Sequence, residues 1–330
     1  LGGGTLYYST NNGTSWSDVG TVSETSARVL YADSNTRLAF DSAPSFDGTI
    51  NDLITFKAWD RNGVGSISSS PSLTGNYDTE GRAQSVTLSA DGKTAFVADY
   101  NSGLQIIDVS NPANPTATGS IDTSGNVYGV TLSADGKTAF VADENGGLDI
   151  VDVSDLANPT LTANYNTSGK ANAVSLSADG KTAFIAEGDY GLDIVDVSDL
   201  ANPTLVGNYD MSGNTGAAQD VTLSADGKTA FVADNADGLD IINISDLANP
   251  TLTANFNTSG HARDVTLSAD GKTAFVADYT GGLDIINISD LANPTLTANY
   301  DTSGYARGVI LSADGKTAFV ADRAEGLDII

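Results

Sequence analysis

Cysteine is absent from the 330 residues, and His261 is the only histidine. A disulfide framework, a thiolate metal centre and a cysteine nucleophile are thereby excluded, and any imidazole chemistry would rest on one side chain. Basic residues are scarce too: 15 Lys and Arg face 42 Asp and Glu, for a formal net charge of −27. A surface of that sign repels polyanions, so neither nucleic acid nor an anionic membrane surface is an expected partner. No apolar run is long enough to span a bilayer, and no charged segment followed by an apolar one opens the chain. The start at Leu1 instead of Met reads as a piece of a longer protein. Gly, Asn, Asp, Ser and Thr are abundant, over a hydrophobic content of 40% that suffices for real cores. Acidic side chains keep a large β-rich chain soluble, and this composition is the one expected of a secreted, extracellular prokaryotic surface protein.

Within that composition one phrase, Leu-Ser-Ala-Asp-Gly-Lys-Thr-Ala-Phe, occurs six times, with its Asp at Asp91, Asp135, Asp179, Asp226, Asp270 and Asp314. The spacings are 44, 44, 47, 44 and 44 residues. A period near ~40–45 belongs to four-stranded propeller blades and not to helical repeats of ~33–34. Each unit supplies four strand signals, a to d, which in the second unit run from Gly129 to Ser133, Thr138 to Asp143, Leu148 to Val153 and Thr160 to Asn166. Asp-Gly in the a-b connection supplies the positive φ of a tight hairpin, and Pro159 in the c-d connection stops pairing and sends the chain to the outer strand. Nothing in the repeat reads as a helix.

Six copies of strands a, b and c are present, and one further outer-strand signal, Ser72 to Asp78, precedes the first of them. The expectation is an all-β, six-bladed β-propeller over residues 72–330 with 3+1 strand closure, in which the leading outer strand completes the last blade and removes two free edges. An open array or a larger ring cut short is the alternative. The phrase Gly-Leu-Asp-Ile-Val-Asp-Val-Ser-Asp-Leu-Ala-Asn-Pro-Thr-Leu at Gly147 to Leu161, with its five relatives, resembles the LVIVD-repeat family of bacterial and archaeal surface proteins. The resemblance covers about three quarters of the chain. It implies a β-propeller of secreted or surface-anchored proteins with no shared catalytic residues.

Residues 1–62 lack the repeat. Alternating or apolar runs at Thr5 to Thr10, Val29 to Ala32, Arg37 to Phe40 and Ile54 to Trp59 are separated by turn residues, the pattern of a small all-β unit. It resembles a partial cadherin-like or immunoglobulin-like β-sandwich of giant bacterial adhesins, short of the about seven strands such a sandwich has. Truncation, or a strand supplied in trans, accounts for the shortfall. Residues 63–71, rich in Gly and Ser, read as the linker.

No enzyme is expected. His261 lies in a strand-a entry loop where other repeats carry Arg82, Asn126, Lys170 and Tyr305, so it is read as a surface residue and not as a base. Asp99, Asp143, Glu187, Asp234, Asp278 and Asp322 end strand b in the six units, and the expectation is that each carboxylate accepts N–H groups of the following turn. No catalytic residue and no cofactor other than calcium is put forward. Calcium takes six to eight oxygen ligands, and the weak candidates are Asp33, Asp41, Asp47, Asp52 and Asp60 of the N-terminal unit.

Comparison of the six repeats with one another separates a monotonous end of the propeller, the a-b hairpins, from an individual end, where the b-c turns and strand-a entries vary. The individual end holds Arg82, Tyr128, Lys170, His261, Arg263, Tyr305, Arg307 and Arg323, the candidate ligand-binding residues. Arg and Tyr stack on sugar or aromatic faces and pair with carboxylates. The expected function is a non-catalytic surface or adhesin module binding carbohydrate, peptide or a neighbouring surface protein. The alternative is a structural subunit of a filament, sheath or surface layer that self-assembles with neighbouring copies, the N-terminal unit being completed by strand exchange.

Overall fold

The computed structural model describes residues 4–9, 14–15, 17–18, 37–42, 73–211 and 216–330. Its contacts divide the chain into two units, Leu1–Leu73 and Thr74–Ile330. In the first, β1 (Gly4–Ser9) pairs antiparallel with β2 (Ser17–Asp18) and β3 (Arg37–Ser42) in the order β2-β1-β3. The runs read at Thr5 and Arg37 are β1 and β3, whereas those at Val29–Ala32 and Ile54–Trp59 lie outside the described residues. Among the calcium candidates, Asp41 falls in β3 and the other four fall outside the described residues.

The second unit is a β-propeller of six sheets. Blade 1 comprises β4 (Ser85–Leu88), β5 (Thr94–Ala98), β6 (Leu104–Asp108) and β7 (Thr116–Ile121). Blade 2 comprises β8 (Gly129–Leu132), β9 (Thr138–Asp143), β10 (Gly147–Asp152) and β11 (Thr160–Tyr165). Blade 3 runs through β12 (Ala173–Leu176), β13 (Thr182–Ala186), β14 (Leu192–Asp196) and β15 (Thr204–Tyr209). Blade 4 runs through β16 (Asp220–Leu223), β17 (Thr229–Asp234), β18 (Gly238–Asn243) and β19 (Thr251–Phe256). Blade 5 has β20 (Asp264–Leu267), β21 (Thr273–Ala277), β22 (Leu283–Asn287) and β23 (Thr295–Tyr300). Blade 6 has three strands, β24 (Ala306–Leu311), β25 (Ala318–Asp322) and β26 (Gly326–Ile329). No helix occurs among the described residues.

Local chemistry explains the repeat. In the a-b hairpin Gly92 takes a φ of 68°, and the Asp91 carboxylate accepts from Ser89 Oγ at 2.7 Å and from the Lys93 N–H at 3.1 Å. The same two bonds recur at Asp135, Asp179, Asp226, Asp270 and Asp314, so this end is monotonous because its loop is locked in the same way each time. Strands b and c are covered on both faces by neighbouring blades and so read as nearly continuous apolar runs. Between blades 1 and 2, for example, Phe96, Leu104 and Ile106 pack with Val130, Val141 and Val151. The same set recurs at the next four junctions.

Each of these five junctions is also stitched at its inner end. Tyr100, Glu144, Gly188, Asn235 and Tyr279, the first residues of the b-c turns, form antiparallel bridges with Val127, Ala171, Ala218, Ala262 and Ala306 of the next blade's entry. All five adopt positive φ, between 34° and 55°. For a residue with a Cβ that conformation costs roughly 1–2 kcal/mol, offset here by backbone bonds such as Tyr100 N–H to Val127 O at 3.1 Å and Val127 N–H to Tyr100 O at 2.9 Å.

The sixth junction differs. Arg323, the sixth turn residue, donates its N–H to Tyr305 O of its own blade, and among the described residues no strand pairing or backbone hydrogen bond joins blade 6 to blade 1. Val86 is 61% exposed where Val130, Val174, Val221, Val265 and Val309 are 2% to 5% exposed. On the facing side Leu327 is 53% exposed, whereas Leu104 and its counterparts are fully buried. The outer strand expected from Ser72 to Asp78 is not paired with β26: residues 73–78 carry no strand assignment.

Replacing Phe140, 1% exposed between blades 2 and 3, with Ala is expected to lower unfolding free energy by about 3–5 kcal/mol in urea titrations followed by circular dichroism. Leu161→Ala on the exposed outer strand β11 is expected to stay within about 0.5 kcal/mol of the parent. Equal effects would mean the interblade cores are not what holds the ring.

Candidate functional site

Inner strands β4, β8, β12, β16, β20 and β24 stand side by side in that order, so the six strand-a entries surround a common channel. At the individual end the channel opens into a cavity of about 1450 Å³. Arg82, Tyr128, Lys170, Arg263, Arg307 and Arg323 line it. His261 and Tyr305 are not in the lining but stand beside it around Tyr279: the Tyr305 ring stacks on Tyr279 at 4.6 Å between centroids, and His261 lies at 6.3 Å.

Three groupings order the mouth. On blades 5 and 6 the Tyr279 ring has the guanidinium carbons of Arg263 and Arg307 at 5.2 and 5.7 Å from its centroid. Partial burial would raise the Tyr279 hydroxyl, but Arg323 and Arg307 together hold it below its ordinary value. On blades 1 and 2 Arg82 lies 5.9 Å from the Tyr100 ring, which meets Tyr128 edge-on at 5.6 Å. Between blades 2 and 3 Lys170 Nζ contacts Glu144 Oε1 at 2.6 Å, and Asn126 donates to the other carboxylate oxygen. Burial pushes the Glu144 carboxyl up, but those two partners keep it below its ordinary value.

Arg263 is half-buried. Its Nη1 donates to Gln219 Oε1 at 2.9 Å, while its Nε is enclosed with no partner among the described residues. Burial first, and the neighbouring Arg307 charge second, weaken its hold on its proton.

Asp220 and Asp264, which also line the cavity, were not singled out from the sequence. Their carboxylates accept from the N–H groups of Val265 at 3.1 Å and Val309 at 2.5 Å, each on the next blade. Burial raises both carboxyls, and the neighbouring Asp220 charge raises Asp264 further. The signal was present in the aligned repeats, where the position reads Ser85, Gly129, Ala173, Asp220, Asp264 and Gly308.

The acids that end strand b act differently from expectation. They reach back to the entry loop of their own blade instead of capping the following turn. Thr79 Oγ1 and the Gly81 N–H donate to Asp99, while Thr123, Ser124 and Gly125 donate to Asp143. Thr258, Ser259 and Gly260 donate to Asp278, and Gly169 to Glu187. The reason is steric. Gly81 and Gly125 pass so close to Asp99 and Asp143 that a Cβ would overlap them, and the carboxylate anchors the loop that carries the variable residues. Asp322 serves both loops, taking Gly304, Tyr305, Ala324 and Glu325 N–H groups. Asp234 is fully buried with neither oxygen partnered among the described residues. Its entry loop contains the insertion at Asn214-Thr215-Gly216, of which residues 212–215 lie outside the described residues.

Six blades built from one repeat around a polar channel define a β-propeller, one whose mouth carries arginines and tyrosines. The LVIVD repeat model matches residues 80–123, 125–167, 168–211, 215–258, 259–302 and 303–330, and the chain belongs to the LVIVD-repeat family. No curated protein matches the sequence significantly. Among solved structures, a functionally unknown protein from Desulfotomaculum acetoxidans is similar at a TM-score of 0.66 and 16% identity, over 77% of this chain and 84% of that one. The β-propeller domain of Cps50 (Swd1) from Myceliophteria thermophila gives 0.60 and 14%, over 75% and 82%. Hydrazine synthase of Kuenenia stuttgartiensis gives 0.51 and 15%, over 77% and 97%. At these identities the likeness is one of fold.

The buried acids set a pH dependence. Burial, above all, raises Asp149 and Asp240 to about 6 and Glu187 and Asp234 to about 7, against about 4 in an unfolded chain. Between those values the folded state binds more protons, so stability falls as pH rises from about 4 to about 7. The hairpin acids such as Asp91 and Asp135 are lowered by their Ser and backbone bonds and act oppositely, withdrawing stability as pH falls below about 4. Urea midpoints are therefore expected to peak in weak acid and decline toward neutrality, with Asp234→Asn raising the midpoint at pH about 8. A flat profile from about pH 4 to 8 would contradict this.

Proposed function

We propose that the chain is a non-catalytic binding module of an extracellular surface protein or adhesin, receiving carbohydrate, peptide or a neighbouring surface protein at the individual end of its propeller. One observation carries the reading. Residues 73–330 contain eleven Lys and Arg; six are the hairpin lysines at the monotonous end, and the remaining five, Arg82, Lys170, Arg263, Arg307 and Arg323, all line the same cavity. Loops that merely tolerate change would scatter their cations over six blades and both ends. Residues 1–62 serve in this reading as a partial cadherin-like or immunoglobulin-like spacer, with calcium among its acids as a candidate ligand.

The same proposal includes 3+1 closure of the ring. In blades 2 to 5 the buried strand-c acid is bonded by an Asn on strand d: Asn164 to Asp149, Asn208 to Asp193, Asn255 to Asp240 and Asn299 to Asp284, at 2.7 to 2.8 Å. Blade 1 has Gln105 opposite Ser120 instead. Blade 6 again has an acid, Asp328, and the corresponding Asn is Asn76, followed by Tyr77 where blades 2 to 5 carry Tyr or Phe. Gly75 already lies against Pro112 and Ala113 of blade 1, as Gly119 lies against Leu156 and Ala157 of blade 2. This packing supports the reading that residues 73–78 are the outer strand of blade 6, to which closure brings β26.

The uncovered faces of blades 6 and 1 favour a second reading, in which this strand pairs with β26 of a neighbouring copy and the chain builds a filament, sheath or surface layer. Both readings meet one test. The chain has no cysteine, and Asn76→Cys with Asp328→Cys places one thiol on each strand at positions equivalent to the directly opposed Asn164 and Asp149. Oxidised protein is expected to run as a cross-linked monomer in non-reducing electrophoresis, and the parent as a monomer in light scattering with or without millimolar calcium. Disulfide-linked oligomers, with ordered fibres of the parent under the electron microscope, would overturn the binding-module reading in favour of assembly.

A further inference from the structure

Resting on that reading, we propose that the ligand is an acidic oligosaccharide, a sugar chain bearing carboxylate or sulfate groups, whose anionic end enters the channel mouth between Arg82, Arg263, Arg307 and Arg323. Three features of the mouth support this. The arginines are held close together with little to neutralise them. Arg82, Arg307 and Arg323 are exposed, no ion pair to any of the four arginines occurs among the described residues, and Arg263 keeps an enclosed, unpartnered Nε beside the like charge of Arg307. Like charges packed around one cavity disfavour the empty site and favour an anion in it.

Four of the five acids of the same cavity are otherwise engaged, and the fifth, Asp189, stands exposed on blade 3. Asp322 is bonded to four backbone N–H groups, Glu144 is paired with Lys170, and Asp220 and Asp264 are tied to Val265 and Val309. None of these acids is ion-paired with an arginine of the mouth. The guanidinium fork binds carboxylate or sulfate through paired N–H bonds.

Tyrosine faces accompany the charge. The Tyr100–Tyr128 pair lines the cavity beside Arg82, and the 40% exposed Tyr305 ring, stacked on Tyr279, stands just outside the lining, the combination that grips a sugar ring by its C–H face while its acid group is held. The lining offers none of the large aliphatic side chains that an apolar peptide anchor requires. The net charge of −27 adds a length limit. Outside the mouth the surface repels a polyanion, so the terminus or a short chain is bound better per site than the middle of a long polymer.

The test is isothermal titration calorimetry with three probes of matched length: oligogalacturonate, a neutral cello-oligosaccharide and an oligoglutamate peptide, with sulfated chondroitin oligosaccharide separating sulfate from carboxylate preference. Oligogalacturonate or the sulfated chain is expected to bind at least about tenfold more tightly than the neutral chain and the peptide. Arg307→Gln and Arg82→Gln, both exposed and remote from the interblade cores, are each expected to weaken binding by about tenfold, as for loss of a charge-assisted bond. Lys93→Gln at the hairpin end is expected to leave it unchanged, with equal melting curves as the folding control. Neutral chains binding as tightly as acidic ones, with Tyr305→Ala abolishing both, would overturn the anionic preference while keeping a binding module. Tightest binding of the peptide would overturn the sugar. No binding by any probe would overturn this proposal, and fibre formation by the parent would overturn the binding module as well.

Discussion

Everything at the channel mouth depends on how one blade is joined to the next. The first residue of each b-c turn enters the left-handed region and exchanges two backbone bonds with the entry of the following blade. Because that residue is variable, its side chain is delivered onto the variable entry of its neighbour. The contacts of the mouth follow from this register: Tyr100 meets Tyr128, Glu144 meets Lys170, and Tyr279 meets Tyr305 and Arg307. A change at one turn is therefore answered across a junction as well as within its blade, where Arg82 meets Tyr100 and Asn126 meets Glu144. In five of the six blades the strand-b acid completes the arrangement by tying the entry loop to its own sheet, so that the variable side chains stand on fixed backbones.

The propeller was legible because its determinants are local and repeated six times. Asp-Gly hairpins, apolar b and c strands and Asn-Pro connections place β8 to β11 within one or two residues of where the second repeat reads them. The division into a monotonous and an individual end was legible for the same reason. What escaped is non-local. An acid at the end of a strand looks like a cap for the next turn, and nothing in the order of residues says that Asp143 looks back to Gly125 instead. Asp220 and Asp264 escaped because a residue type scanned along one chain gives no hint that two acids in successive blades head neighbouring inner strands of one channel. Within the N-terminal unit β1 and β3 were legible from alternation alone, and β2, two residues long, carries no pattern to read.

Charge is distributed against the grain of the composition. An acidic surface keeps a sheet-rich protein apart from its copies, but it also makes any cation cluster conspicuous, since a local positive field must be assembled from few side chains. The propeller commits its non-hairpin cations to one place. Beside them Asp220 and Asp264 accept backbone N–H groups of the next blade. In the proposed binding role, selectivity would rest on the contrast between mouth and surroundings as much as on the arginines themselves.

The buried acid-amide ladder on strands c and d bears on which strand can complete a sheet. Asp149, Asp193, Asp240 and Asp284 are each 1% to 4% exposed, and such a carboxylate is tolerated because an Asn amide opposite supplies a donor in a place water does not reach. A strand without that Asn would leave the acid unpaired, a cost of about 1–3 kcal/mol or more for a charged group. Blade 1 obeys the rule in the negative: its outer strand has Ser120, and its strand c has Gln105, which satisfies its own amide on Ser102 O at 2.6 Å. The ladder therefore discriminates among otherwise interchangeable outer strands. For β26, whose Asp328 faces an empty edge, the same rule favours the proposed partner Asn76 over the outer strand of blade 1.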